Sequence, residues 1–535
     1  MLNLDIQTAM LGKDAILHFF IAKGIRHLFY LPGIHSLPLS ESFRRHKIQV
    51  IMGRHELDLA YMTIGYAEAS GGPGVLIVTP GPGLGNIISG CMEAHAGNVP
   101  LLILHVDTGR EEIGKGILHE LAAVEALFRP ITKAVFAASR KEEVVPVLRE
   151  GFRTMITGRR GTVLVSIPYR FFEKDISAEN EEHEEREVSP ELDGAMEVLE
   201  GCHKPVIIGG KSLMREDLGM AVKAICEEKG IPFLTTTSGK GAISELSRCA
   251  FGNVMAKGLA REIVSSADMV IALGTRLRDM DVKRRGVKIH KLVHIDVDDA
   301  WIGRNHGAHL GASGDLGTAL GGIRKILKNS RFDWDMDLLK EKERRERETL
   351  KKGSTGFRVM QIIRDAVPPE TTTVWDLSLV GYWAEYYFPV VHQRTFIMPT
   401  GVAPTFFSFP AALGAKLSRT DQPVLSVTGD GSFLPCASDL ATAKQYNIPV
   451  VILVYNSGGF GILEEYMDSS YGIRSSMALA NPDFTKLAKS FGIKAKKAGT
   501  LDRLKGLFRD DVTWDEPFLI ELDLPAFPPP WKFIF

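Results

Sequence analysis

Runs of apolar, largely β-branched residues recur along the chain as GVLIVT (74–79), PLLILHV (100–106), GTVLVSI (161–167), KPVIIGG (204–210), DMVIALG (268–274), KLVHIDV (291–297), PVLSVTG (423–429) and PVVILVY (449–455). Continuous apolar strands of this length suit parallel sheets that helices bury on both faces, and helical patterns fill the intervals between them. The pattern therefore predicts an α/β chain with several doubly wound parallel sheets. Charged stretches interrupt the rhythm at two places. Residues 173–187, with the run NEEHEERE, have too little apolar content to pack and read as a solvated linker. Residues 337–352 (DLLKEKERRERETLKK) read either as an exposed helix with i,i+4 charge pairs or as a second linker. Dividing the chain there gives three domains, 1–172, 188–330 and 354–535. Ligands of open α/β sheets bind outside the carboxyl ends of the strands, so chemistry is expected just after the apolar runs.

Composition narrows the function. At 535 residues the chain exceeds what one core organises. Its 45% hydrophobic and 24% charged residues are those of a folded globular protein. A net charge of −1 without a basic stripe argues against a nucleic-acid partner. Cys91, Cys202, Cys226, Cys249 and Cys436 show no CxxC or Cys/His spacing, which points away from zinc and disulfides and toward buried thiols in a reducing, cytoplasmic setting. The N-terminal stretch carries Asp5, Lys13 and Asp14 among its apolar positions and reads as an amphipathic first helix, not a signal peptide. No membrane span is expected.

The most informative segment is 423–462. A strand ends in Gly429-Asp430-Gly431, a helix is expected next, and a second strand ends in Tyr455-Asn456-Ser457-Gly458-Gly459. This places a carboxylate and a group of neutral oxygen ligands at neighbouring strand ends. Mg²⁺ is commonly bound in this way, through one or two protein groups plus substrate phosphates. Glycines beside the Asp let backbone N–H groups approach a phosphate, and a following helix adds a favourable dipole. An isolated Gly-Asp-Gly is otherwise only a tight turn.

The whole segment resembles the signature of thiamine-diphosphate enzymes, in which a GDG is followed some two dozen residues later by an Asn pair. Carried over position by position, the resemblance implies Asp430 and Ser457 as side-chain ligands of Mg²⁺ and Gly459 as a backbone-carbonyl ligand. It also implies Gly429, Gly431, Ser432, Asn456 and Ser378 as further cofactor contacts. Ser457 is a departure, because the family commonly has a second Asn there.

A second motif lies at 53–86, GRHELDLAYMTIGYAEASGGPGVLIVTPGPGLGN. A Glu opening a helix is ordinarily a solvated charge favoured by the dipole. Here it resembles the His-Glu of the pyrimidine-binding domain in the same family, which implies that Glu56 hydrogen-bonds the aminopyrimidine ring and prompts deprotonation of the thiazolium carbon. The Gly81–Asn86 run misses the GxGxxG spacing and reads as a pyrimidine-side loop rather than a dinucleotide loop. His119 and His35 are candidate acid/base groups, and His55 is assigned to structure.

Beyond these motifs, the segments at 27–39, 119–134, 237–245, 273–279, 294–305 and 409–417 resemble, in order, those of the acetolactate synthase and benzoylformate decarboxylase family. This implies a pyrimidine-binding domain, a central Rossmann-like domain and a diphosphate-binding domain. It implies carboligation or decarboxylation of a small 2-oxo acid, with an acetolactate-synthase-like reaction foremost. An aryl 2-oxo acid decarboxylase, a 2-hydroxyacyl-CoA lyase and a catalytically inactive binding homologue are the alternatives. Departures fall in the substrate-facing parts. Thr405 stands where the family has a bulky wedge, Phe406 where Gly is common, Leu379 and Val380 in place of a Gln-His pair, and Thr79 in place of a histidine. In relatives the central domain holds FAD, ADP or nothing, and the sequence leaves FAD undecided. Finally, the family assembles each site from two subunits, which implies a homodimer or homotetramer.

Overall fold

The computed structural model describes residues 10–176, 198, 201–282, 286–473 and 477–533. Each quoted apolar run forms a strand, and three six-stranded sheets result, all with parallel pairing. The first contains His27–Tyr30, Gln49–Met52, Gly74–Val78, Leu101–Asp107, Ala134–Ala137 and Val163–Pro168. The central sheet contains Pro205–Gly209, Phe233–Thr235, Ala250–Asn253, Met269–Leu273, Leu292–Asp296 and Leu310–Ser313. The third contains Thr372–Trp375, Phe396–Ile397, Val424–Gly429, Val451–Asn456, Lys494–Ala498 and Phe518–Asp523. Counted in chain order within each sheet, the strands lie as 2-1-3-4-6-5 in the first and third sheets and as 3-2-1-4-5-6 in the central one. In both arrangements the order reverses beside strand 1, and that reversal opens a crevice at the carboxyl ends.

The chain folds as two compact units. One comprises Met1–Glu185, Pro399–Thr420 and Pro435–Ile448 and holds the first sheet; the other comprises Arg186–Met398, Asp421–Leu434 and Pro449–Phe535 and holds the central and third sheets. In the first unit the helix Glu56–Ser70 packs against the helix Ser408–Ser418. Gly65 lies against the Ala411 carbonyl and Gly414 against that of Met62, so close that a Cβ at either glycine would collide with backbone. This contact fixes the axis of the helix that Glu56 opens.

The first helix among the described residues spans Gly12–Ala22, and most of its residues are buried, with Lys13 paired to Glu41 and Glu173. The expected linker is described only to residue 176, where Asp175–Ile176 pairs with Met10–Leu11; residues 177–187 lie outside the described ones. The second charged stretch is the helix Met336–Gly353, N-capped by Asp335 and laced by Arg345–Glu341, Arg347–Glu343 and Arg344–Glu348 pairs four residues apart. Of the two readings offered by its charge pattern, the helix is the one realised. None of the five cysteines is in a disulfide, and Cys91, Cys226, Cys249 and Cys436 are buried.

Candidate active site

The third sheet carries the Gly-Asp-Gly turn at its order reversal. The strand Val424–Gly429 is buried throughout, and its neighbour Thr372–Trp375 ends in Asp376. The Asp376 carboxylate is fully buried and accepts from Thr428 Oγ1 at 3.0 Å, Gly429 N at 2.8 Å and Ser378 N at 3.1 Å. It clamps the two strand ends together under the turn. Sequence reasoning did not single it out; an acidic residue directly after a strand was the available signal. Ser378 N-caps the helix Leu379–Tyr387 by accepting from Gly381 N, which leaves its hydroxyl hydrogen free to be donated.

Asp430 is 2% exposed. Its Oδ1 accepts from Gly431 N at 3.0 Å, and its Oδ2 from Gly459 N at 2.9 Å and Asn481 Nδ2 at 2.7 Å. Burial pushes the carboxyl above its usual range, while hydrogen bonds from Asn481, Gly431 and Gly459 pull it back. The Ser457 hydroxyl donates to the Gly459 carbonyl at 3.3 Å, so the carboxylate, hydroxyl and carbonyl expected as ligands come together in one loop pair. Asn456 is locked from both ends, its Nδ2 donating to Glu521 Oε1 at 3.0 Å and its Oδ1 accepting from Gly458 N at 3.2 Å. Gly431 faces the Phe460 ring closely enough that a Cβ there would reach 2.5 Å, and a Cβ at Gly459 would meet the Met477 carbonyl.

Ser432 lies half-buried on the same turn. The helix expected after the turn is broken. Asp430–Phe433 is a single turn, Leu434–Cys436 is 3₁₀, and a regular helix resumes only at Asp439–Gln445, because Pro435 lacks the N–H that would continue the first turn. The turn therefore offers a ligand the backbone groups of its loops and not a long helix dipole. Leu379 and Val380 are buried in the core of this unit, so packing accounts for the departure at those positions.

The first sheet offers a different chemistry at the same topological place. His55 N-caps the helix Glu56–Ser70, its Nδ1 accepting from Leu57 N. Half-buried Glu56 accepts from Asn86 Nδ2 at 2.9 Å. Thr79 ends the neighbouring strand and fills the space beside Gly33 and Gly83, where any Cβ would strike it. Gly81 adopts φ 61°, with the His119 backbone directly against it. His119 itself sits at φ 65°, a conformation that costs a side-chain-bearing residue energy.

The ring centroids of His35 and His119 are 5.4 Å apart, and Tyr169 packs edge-on to His35 at 5.3 Å. Nδ1 of both histidines is buried without a partner. Burial, and then the neighbouring His119, push the His35 pKa below the usual histidine range. The structure thus brings together Glu56, Asn86, His35 and His119 at one sheet edge and adds Tyr169, which had no sequence signal. The loop bearing Thr405 and Phe406 belongs to this unit. Three consecutive N–H groups, of Gly401, Val402 and Ala403, donate to buried Glu93, and Phe406 takes φ 68° at the position where the family commonly has Gly.

At the central sheet's reversal, Gly210 packs against Gly274 and Thr275; beyond the adjoining strand Leu292–Asp296, Arg276 and Arg304 both lie over the Trp301 ring, and burial pushes the Asp296 carboxyl up to about 6. Among the described residues no group of three or more His, Cys, Asp or Glu is placed to hold a metal, so a cation at Asp430 would rely on neutral oxygens for its other protein ligands. Nor is any helix among them long and apolar enough to cross a membrane.

Comparison with known proteins places these edges in a family. The family models described as thiamine pyrophosphate enzyme, N-terminal TPP binding domain, central domain and C-terminal TPP binding domain match residues 10–126, 192–323 and 376–522 respectively. The "Probable acetolactate synthase large subunit" of Methanocaldococcus jannaschii is 28% identical, over 97% of this chain and 94% of its own. The acetolactate synthase large subunit of Lactococcus lactis subsp. lactis is also 28% identical, over 98% and 94%. The "Probable 2-ketoarginine decarboxylase" of Pseudomonas aeruginosa is 27% identical, over 97% and 95%.

Proposed function

Because this chain belongs to the thiamine pyrophosphate enzymes, we propose that it holds thiamine diphosphate with Mg²⁺ and performs acetolactate-synthase-like carboligation of a small 2-oxo acid. The observation that carries the reading is the Asp430 loop pair, where a buried carboxylate is joined through Gly459 N to the loop that bears the Ser457 hydroxyl and the Gly459 carbonyl. In this reading Asp430 supplies the charge at the cation, and Asp376 holds the turn in place from beneath. When bound, thiamine diphosphate supplies a nucleophilic carbon and an electron sink.

The chain's own work at the first sheet is proton handling. Glu56, oriented by Asn86, shares a proton with the ring nitrogen of the cofactor. His119 and His35 exchange protons with the reacting oxygen, their free Nδ1 atoms being the groups with unused capacity. Burial, and then the neighbouring His119, favour the neutral form of His35, the form that accepts a proton.

In the family, pyrimidine and diphosphate halves come from different subunits, so a homodimer, alone or doubled, is the minimal active unit. Mixing inactive Glu56→Gln and Asp430→Ala variants should restore activity to at most about half of the sites in each mixed dimer. Proven exchange without any recovery overturns the shared site. Thiols that form no disulfide fit a cytoplasmic setting.

The substrate is tested by calorimetry of thiamine diphosphate with and without Mg²⁺, followed by product analysis on pyruvate, benzoylformate, 2-ketoarginine and a 2-hydroxyacyl-CoA. Acetolactate formed from pyruvate supports the reading, and turnover confined to another substrate replaces it. The visible absorbance of the purified protein reads the central sheet, since a flavin band assigns FAD there.

A further inference from the structure

The sequence departs from its family at Ser457, where an amide oxygen is commonly available to the metal. The structure places another amide beside the same carboxylate. Asn481 lies on a segment that runs antiparallel to the 458–460 loop, joined to it by Leu479 N donating to the Gly458 carbonyl and Phe460 N donating to the Met477 carbonyl. Pro482 follows and favours extended backbone at Asn481.

The orientation of this amide is dictated by its neighbours. Its Nδ2 lies 2.7 Å from Asp430 Oδ2 and 3.1 Å from Asn456 Oδ1. The first is a carboxylate oxygen. The second is an oxygen because Asn456 must turn its Nδ2 to Glu521. Reversing Asn481 would set oxygen against two acceptors, so both amide hydrogens are committed to these bonds. Its Oδ1 is then left buried with no donor. A buried carbonyl oxygen without a donor is unfavourable, and a cation satisfies it as well as an N–H does.

We infer that Asn481 gives its amide oxygen to the divalent cation held by Asp430, supplying from a different loop the amide oxygen that the Ser457 hydroxyl replaces. The inference rests on the reading of the Asp430 loops as the Mg²⁺-diphosphate site. It also makes the Glu521–Asn456–Asn481 chain of hydrogen bonds the device that aims the ligand.

The experiment measures the Mg²⁺ concentration needed for half-maximal thiamine diphosphate binding by calorimetry, on the full chain. Asn481→Ala should raise it by about tenfold or more. Adding Ser457→Asn to that variant should bring it back to within about threefold of wild type, because a donor oxygen is returned even though the hydrogen bond to Asp430 is not. Metal-free melting temperatures of all variants verify folding. A change below twofold in Asn481→Ala overturns the inference. So does failure of Ser457→Asn to rescue a folded double variant, which would make Asn481 a positioning residue for Asp430. Asp430→Ala separates the two levels. If it leaves Mg²⁺-dependent binding intact, the site reading itself falls; if it abolishes binding while Asn481→Ala does nothing, only this inference does.

Discussion

The first and third sheets share one strand order, 2-1-3-4-6-5, and each places its chemistry where that order reverses. Their contents diverge. At the first edge stand the groups proposed to move protons: Glu56 with its Asn86 partner, and the His35–His119 pair. At the third stand groups that hold charge still: Asp430 receives three donors and Asp376 clamps the turn. Strand order fixes where a crevice opens, whereas the residues just past the strands fix what it does, so a shared topology permits opposite roles.

The contrast breaks most visibly at the charge-holding edge. Asp430→Ala should abolish Mg²⁺-dependent retention of thiamine diphosphate, since this single carboxylate carries the negative charge at the ion; calorimetry reads it, and unchanged affinity would sink the assignment. At the proton-moving edge the cofactor should still bind while turnover falls. Glu56→Gln keeps the shape and the Asn86 contact but loses the exchangeable proton, and turnover should drop by about 10³-fold with retained cofactor affinity. Loss of cofactor binding instead would make Glu56 a binding group and erase the contrast.

His119→Ala should cost about 10²-fold in turnover. A loss under threefold would return the ring to a packing role beside His35.

The smallest effect separates catalysis from folding at the first edge. Asp58, two residues after Glu56 on the same helix, is buried, and desolvation pushes its carboxyl from 3.8 up to about 6. Asp439, also deeply buried, is pushed well above its usual range by desolvation and by Asp58. The folded chain therefore holds the Asp58 proton more tightly than the unfolded one does. Stability from this group is complete below pH 3.8 and is lost as pH rises through about 6. Asp58→Asn should raise stability near pH 7 by about 2 kcal/mol and flatten that slope, as denaturant titrations at several pH values would show. An unchanged slope would mean that Asp58 is more solvated than its burial suggests.

Legibility in the sequence followed the same divide between local and assembled features. Strands covered on both faces read as unbroken apolar runs, so Leu101–Asp107 and Val451–Asn456 were visible. Lys494–Ala498 was not, because as an edge strand it exposes lysines at alternate and adjacent positions. Phe396–Ile397 is too short to give any period. Within the site, the Gly-Asp-Gly turn and the His-Glu step are local sequence events and were readable. Asp376, Asn481 and Tyr169 owe their places to neighbours 52, 51 and 134 residues away, which no local pattern records. The break after Asp430 was legible in Pro435 and went unused.

The buried thiols give this molecule built-in reporters of its own breathing. Cys91 lies on a helix of the first sheet, Cys226 on a helix of the central sheet with Cys249 in the same core, and Cys436 just past the Asp430 turn. Each is almost fully shielded, and burial pushes the Cys91 thiol well above its ordinary range, so a thiol reagent meets it only when its surroundings open. The rate at which each cysteine is alkylated therefore clocks the opening of its own neighbourhood. The unmodified protein can report, residue by residue in a mass spectrum, which sheet a bound cofactor quiets.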